Sequence, residues 1–153
     1  MQIMRTRTST WYECKIRYEK TTETGEQKKV SELYAVDALS FTEAESNIIK
    51  EMSDFIQGVF EVKGIKEAPY GEIFFSDNTS DDRWFKAKLC FITLDERTEK
   101  EKKSNVLYLV QAKNIKDAIS NVEAVMSKTM IEYTIKSVTE TQIFDVYEQN
   151  KVK

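Results

Sequence analysis

Two tryptophan-led segments carry the side chains of this sequence that could bind a nucleic acid. Residues 11–18 read W-Y-E-C-K-I-R-Y and residues 84–91 read W-F-K-A-K-L-C-F. In each segment the tryptophan and its cations fall on one phase of an alternating, strand-like pattern, so they would share one face of a sheet. Aromatic rings on that face could stack on bases, and the cations could neutralise phosphates. The candidate surface for a ligand, a nucleic acid or a partner comprises Trp11, Lys15, Arg17, Trp84, Lys86 and Lys88.

The same residues also have a purely structural interpretation. Both tryptophans could pack under a loop or across a pseudo-twofold axis, with the lysine stems covering them. The chain carries a net charge of −3 and has no dense cluster of Lys and Arg, which favours the structural interpretation over a nucleic-acid site.

The sequence lacks the side chain that enzymes use most often for proton transfer. It contains no histidine, which excludes Ser-His-Asp and Cys-His catalysis and imidazole zinc sites. Gly-rich phosphate loops, nucleophile elbows and spaced metal ligands are also missing. A pair of carboxylates could still be assembled in space from Glu43, Glu67, Asp117 and Glu140. We expect no catalytic residue, no metal site, no cofactor and no enzymatic activity.

Two other features have a structural interpretation. The segment D-N-T-S-D-D at 77–82 offers several oxygens, but it lacks the glycine and the glutamate that a calcium-binding EF-hand loop needs. We interpret it as an acidic linker. Cys14 and Cys90 show no CxxC spacing and lie in strand-like stretches, so we expect two free thiols that pack in the interior.

The sequence contains an internal repeat, which fixes the predicted architecture. The matched segments keep an offset of 73 or 74 residues, and single-residue slips fall in the connections, where insertions are tolerated. The matches are W-Y-E-C-K-I-R-Y with W-F-K-A-K-L-C-F, L-Y-A-V-D-A (33–38) with L-Y-L-V-Q-A (107–112), A-E-S-N-I-I-K-E-M-S (44–53) with A-I-S-N-V-E-A-V-M-S (118–127), and F-E-V-K-G-I-K-E (60–67) with Y-T-I-K-S-V-T-E (133–140).

Each repeat reads as two strands, one helix and two more strands. The capping box S-F-T-E at 40–43 and its degenerate counterpart N-I-K-D at 114–117 predict where the helices begin, and Gly58 predicts the end of the first. We predict an α+β fold built by tandem duplication of a ββαββ unit, with each helix packed on one face of an antiparallel sheet and a pseudo-twofold axis between the units. The first repeat would span 1–76, the linker 77–82 and the second repeat 83–153, within one compact globule.

A Ser-Asn pair recurs at the same place in both predicted helices. Ser46 and Asn47 match Ser120 and Asn121. We interpret the four residues as candidates for contact between the repeats or for helix packing, rather than as a catalytic site.

The segments W-Y-E-C-K (11–15) and L-Y-A-V-D-A-L-S-F-T-E-A-E (33–45) resemble a family of unknown function found in gut Bacteroidetes and in their phages and mobile elements. The resemblance implies a cytosolic bacterial or phage setting. It implies no catalytic or binding residue.

The expected function is that of a non-catalytic binding or interaction module, for instance an accessory protein of a phage or mobile element. The expected partner is another protein or a second copy of the chain, because residues 1–76 and 83–153 carry opposite net charges of −3 and +3. The alternative is binding of single-stranded nucleic acid or a small nucleotide through the open sheet faces or a groove between the repeats. A carboxylate-based enzyme ranks third. No apolar run is long enough to span a bilayer, so we expect a cytoplasmic protein without membrane contact.

Overall fold

A computed structural model describes residues 4–149 of the chain. Within that range the fold is of the mixed α+β kind, with two helices and nine strands in two sheets. In chain order the elements are β1 (Met4–Thr8), β2 (Trp11–Thr21), β3 (Gln27–Asp37), α1 (Phe41–Phe55), β4 (Phe60–Glu67), β5 (Glu72–Ser76), β6 (Arg83–Asp95), β7 (Lys100–Ala112), α2 (Ile115–Met126), β8 (Glu132–Glu140) and β9 (Ile143–Tyr147).

Both helices begin where their capping residues predict. The Ser40 hydroxyl oxygen accepts a hydrogen bond from the Glu43 amide at 3.1 Å, and the Asn114 side-chain oxygen accepts one from the Asp117 amide at 2.8 Å. These bonds satisfy backbone donors that a first helical turn leaves open. The predicted end at Gly58 is wrong, because α1 ends at Phe55 and its C-cap residue Ile56 is already extended.

The described residues form two compact units, each with one sheet and one helix. The α1 unit contains 9–68 and 142–149, and its four-stranded sheet has the order β4-β2-β3-β9. The α2 unit contains 4–8 and 69–141, and its five-stranded sheet has the order β1-β5-β7-β6-β8. The predicted repeats at 1–76 and 83–153 are continuous ranges, whereas neither compact unit is.

Each helix covers one face of its own sheet. In the α1 unit the fully buried Ala44, Ile48 and Met52 pack with the inward phase of β2 and β3, which includes Ile16 and Tyr34. In the α2 unit the buried helix residues Val122 and Met126 pack with strand residues that alternate in the same way, namely Phe74, Ala87, Leu89 and Val110. Cys14 and Cys90 are free and buried.

The last strand of each predicted repeat pairs outside its own repeat. β5 pairs in parallel with β7, and β9 pairs in parallel with β3. The expectation of antiparallel sheets is therefore wrong, since each sheet contains one parallel pair.

The short connections explain this strand exchange. β2 is antiparallel to both β3 and β4, so a strand parallel to β3 also runs parallel to β4. For β5 to occupy the position beside β3, the chain leaving β4 would first have to travel back along the length of β4. That strand has eight residues and is about 26 Å long at roughly 3.3 Å per residue. Parallel neighbours need a crossover of about a dozen residues, yet only 68–71 separate β4 from β5 and only 141–142 separate β8 from β9.

Two parts of the chain differ from their sequence interpretation. The N-terminal strand β1 was not predicted and pairs antiparallel with β5. The segment 77–82, predicted as a linker, connects β5 and β6 inside the α2 unit. Its Asp81 is buried and accepts a hydrogen bond from the Ser76 hydroxyl at 2.5 Å, so part of the segment is packed.

No helix among residues 4–149 is long and apolar enough to cross a membrane.

Candidate binding surface

The two tryptophans of the predicted surface are buried. Trp11 is 1% exposed and Trp84 is 3% exposed, and the Trp84 ring meets the Phe75 ring edge-on at a centroid distance of 5.7 Å. A base cannot stack on a ring that has no accessible face. The sequence therefore placed both indoles on the correct phase of their strands, away from the helices. The parts of the two sheet faces where they lie are not accessible to solvent.

The four cations of the predicted surface lie in two different places. Lys15 and Arg17 are exposed on β2 of the α1 unit, on the same phase as Trp11. Lys88 is exposed and Lys86 is half-buried on β6 of the α2 unit. The Lys86 ammonium lies 5.9 Å from the centre of the buried Tyr70 ring, within cation–π range.

A pocket of about 530 Å³ opens on the face of the α1 sheet that is turned away from α1. We call it the sheet pocket. Its volume lies in the range of small-ligand sites. The residues that line it come from β2, β3, β4 and the connection before β9, and they are Glu13, Lys15, Ser31, Glu32, Leu33, Gly64, Ile65, Lys66 and Gln142.

Gly64 is one of the residues that line this pocket. It lies directly opposite Lys15 in the β2–β4 ladder, at a bulge where Lys63 is the extra residue. A Cβ atom added at Gly64 would meet nothing within 4 Å. The missing side chain therefore leaves open space between Lys15 and Lys66, as glycines in bulged strands commonly do.

A buried carboxylate borders the same pocket. The Glu13 side chain is only 1% exposed, and the exposed Lys66 ammonium lies 3.5 Å from its Oε1 atom, across the β2–β4 ladder. Burying a carboxylate is costly unless a cation or hydrogen-bond donors compensate for the lost water. The pair places charges of both signs at one end of the pocket.

The α2 sheet carries different side chains at the same cross-strand positions. Lys86 lies opposite Thr139, and Lys88 lies opposite Ser137, again next to a bulge. The buried acid of the α1 unit is thus replaced by a lysine, and the glycine by a serine. The face that opens into a pocket in one unit carries two cations and two hydroxyls in the other.

Each of the repeated asparagines forms a hydrogen bond between its helix and a strand of the same unit. The Asn47 amide nitrogen donates to the Asp37 carbonyl at 3.0 Å, and the Asn121 amide nitrogen donates to the Gln111 carbonyl at 2.8 Å. Ser46 and Ser120 are exposed.

Three of the other reactive side chains are packed or paired, namely Cys14, Asp117 and Glu140. Burial raises the pKa of the Cys14 thiol to about 12, with a further contribution from the Glu13 charge, so this thiol is protonated at neutral pH. Asp117 pairs with Lys113 at 3.6 Å and Glu140 with Arg83 at 3.8 Å. Among residues 4–149, no group of three or more Cys, Asp or Glu side chains could hold a metal ion.

Sequence reasoning missed Glu13, Gly64 and Lys66 as members of one site. Gly64 carried a usable signal, since an isolated glycine inside a strand pattern points to a bulge. Glu13 and Lys66 carried none, because their pairing depends on the register between β2 and β4.

These observations define a two-sheet α+β protein with a pocket on one sheet face. The model of the DUF4494 family, described as a domain of unknown function, matches residues 10–149. The chain belongs to this family. Searches of curated proteins and of solved structures found no match.

Proposed function

We propose that this protein is a non-catalytic binding module and that the sheet pocket receives a segment of a partner protein. The observation that supports the proposal is the pocket of about 530 Å³, which Gly64 lines together with the ion pair of Glu13 and Lys66. A protein recognises a small ligand through a few polar groups set in an otherwise apolar depression, and Leu33 supplies apolar surface in this one.

The mixture of polar groups favours a peptide. The ammonium groups of Lys15 and Lys66 donate hydrogen bonds, and Ser31 and Gln142 can both donate and accept them. A peptide segment offers backbone donors and acceptors together with side chains that fit a depression of this size. The backbone register of the face is fixed by the β2–β3 and β2–β4 ladders, which keeps the pocket preorganised.

The nucleic-acid alternative has less support. Its stacking platform would require Trp11 and Trp84, which are buried. Glu13 borders the pocket, and its charge would repel a phosphate. Lys15 and Arg17 remain exposed, so a mononucleotide and a short oligonucleotide belong in the binding test as competing ligands.

The binding test uses blocked tripeptides Ac-Gly-X-Gly-NH2, with X varied over the natural amino acids, and follows affinity by calorimetry or NMR titration. We expect one chemical class of X to bind. Gly64→Leu should fill the pocket, and since burial of a leucine-sized group is worth about 1.5–3 kcal/mol, affinity should fall by about 10- to 150-fold. Ser137→Leu on the α2 sheet is the matched control and should leave affinity unchanged.

Two results would overturn the proposal. Equal affinity of the wild type and the Gly64→Leu variant would place binding elsewhere. Binding of the oligonucleotide in preference to every tripeptide would favour the alternative.

Two further proposals concern the origin of the fold and the biological role of the chain. We propose that the chain is a tandem duplication of a ββαββ unit with pseudo-twofold symmetry. This is supported by bonds that recur with an offset of 73 or 74 residues, among them those of Asn47 and Asn121. The Ala68 amide donates to the Trp11 carbonyl at 2.8 Å, and the Thr141 amide to the Trp84 carbonyl at 2.9 Å. A cytoplasmic role in gut Bacteroidetes, as an accessory protein of a phage or mobile element, is proposed from the sequence resemblance.

A further inference from the structure

We propose that a second surface of the α1 unit binds an arginine side chain of a partner protein. The surface lies on the helix side of the α1 sheet, where β9 passes the C-terminal turn of α1. Its rings are Phe55, Phe144, Tyr34 and Tyr147, and we call it the aromatic surface. The proposal does not rest on the sheet pocket, which opens on the opposite face of the same sheet.

The four rings form one connected cluster. Tyr34 stacks on Tyr147 at a centroid distance of 5.6 Å, and Phe144 meets Tyr34 edge-on at 5.6 Å. Phe55 lies 6.4 Å from Phe144. The two phenylalanines remain 53% and 52% exposed, so a pair of rings is presented to solvent side by side.

Carboxylates surround these rings. The Tyr34 hydroxyl donates to Glu32 at 3.0 Å, Glu51 accepts from the Gln149 side-chain amide, and Asp145 neighbours Phe144 in β9. Desolvation raises the pKa of Tyr147 to about 12, and the charges of Asp145, Glu51 and Glu32 add to the effect. Within 4–149, none of the three has a cation within ion-pair distance.

An arginine fits this combination better than other ligands do. Its guanidinium group stacks on aromatic faces and donates paired hydrogen bonds to a carboxylate. A purely apolar partner would leave the carboxylates facing apolar atoms, and an anion would meet like charge. A lysine would satisfy the charge, but its ammonium group is a compact point charge that cannot stack.

The test titrates the whole chain with Ac-Gly-Arg-Gly-Arg-Gly-NH2 and follows aromatic ring resonances by NMR. The comparison peptide carries citrulline, a neutral isostere, in place of each arginine. We expect only the arginine peptide to shift the Phe55, Phe144 and Tyr147 resonances. Phe144→Ala should weaken binding about 2- to 5-fold, as expected for an exposed cation–π contact. Glu51→Gln should weaken it by a similar factor of about 2 to 5, as for an exposed ion pair.

Phe41→Ala is the matched control. Phe41 is 54% exposed at the other end of α1 and packs edge-on against Tyr12. Its removal should leave the affinity unchanged, and because Glu51→Gln keeps the size of the side chain, a loss in that variant cannot be a packing defect.

Three results would overturn the proposal. They are equal binding of the citrulline peptide, an equal loss in Phe41→Ala, and dimerisation of the chain that Phe144→Ala abolishes. The last result would assign the aromatic surface to a second copy of this chain.

Discussion

The sheet faces turned away from the two helices differ although their backbones match. Both faces place a bulge next to a β-strand lysine, after Lys15 in the α1 unit and after Lys88 in the α2 unit. Opposite those lysines lie Gly64 and Ser137, respectively. The two faces share the ladder and the bulge but differ in these side chains, and the α1 face carries the buried acid Glu13 where the α2 face carries Lys86.

The first prediction concerns the buried tryptophans of the two sheet faces, whose removal should change stability more than any other substitution considered. Trp11→Ala and Trp84→Ala should each reduce the free energy of unfolding by about 3–5 kcal/mol, because both indoles are buried and their removal leaves a cavity. Lys15→Ala and Lys88→Ala, on the same faces but exposed, should change it by less than about 0.5 kcal/mol. Urea denaturation measures all four. Tryptophan variants as stable as the lysine variants would contradict the buried positions.

The second prediction compares the helix attachments. Asn121 is buried, whereas Asn47 is part-exposed. Leaving a buried carbonyl without its hydrogen-bond donor lowers the free energy of unfolding by about 1–3 kcal/mol, and the loss is smaller where water can replace the donor. Asn121→Ala should therefore destabilise the protein more than Asn47→Ala, by about 1 kcal/mol. Thermal unfolding of the two variants checks this, and the reverse order would show that burial does not govern the bond.

The third prediction concerns alkaline pH and has the smallest expected effect. Desolvation first, and the nearby carboxylates next, raise the pKa of Tyr18 and of Tyr147 to about 12, against an ordinary value of 10.0. The folded state holds these protons more tightly than the unfolded state does. The stabilisation is therefore complete below pH 10 and is lost as the pH rises toward 12.

Tyr147→Phe should weaken this alkaline loss of stability, and the effect is small because Tyr147 is part-exposed and water screens its charge. Melting temperatures between pH 9 and pH 12 measure it. A Tyr133→Phe variant, altered in the α2 unit, is the control. An unchanged slope in Tyr147→Phe would show that this ring does not hold its proton in the way described.

Local signals in the sequence predicted the helices and the strand phases. Ser40 and Asn114 gave the helix starts, and the alternation around Trp11 and Trp84 gave the correct phase of β2 and β6. Phase states which side of a sheet a residue occupies, but it does not state whether that side is open. Strand phase therefore could not predict that both tryptophans are buried.

The strand exchange and the pocket depend on contacts between distant residues. The residues of β5 and β9 do not state which sheet these strands join, so only the length of the preceding connection could have indicated the exchange. The pocket needs Gly64 opposite Lys15 and Lys66 opposite Glu13, about fifty residues apart in the chain. Nothing local to any of these four positions encodes that register.

The most direct test of the account is to map where the bound tripeptide lies, using backbone amide shifts of the wild-type chain. We predict that the shifted resonances cluster at Lys15, Leu33, Gly64 and Ile65, and that the corresponding face around Lys88 and Ser137 stays unperturbed. Shifts of equal size on both faces, or shifts confined to the α2 unit, would contradict the claim that Gly64 and Glu13 make the α1 face the binding face.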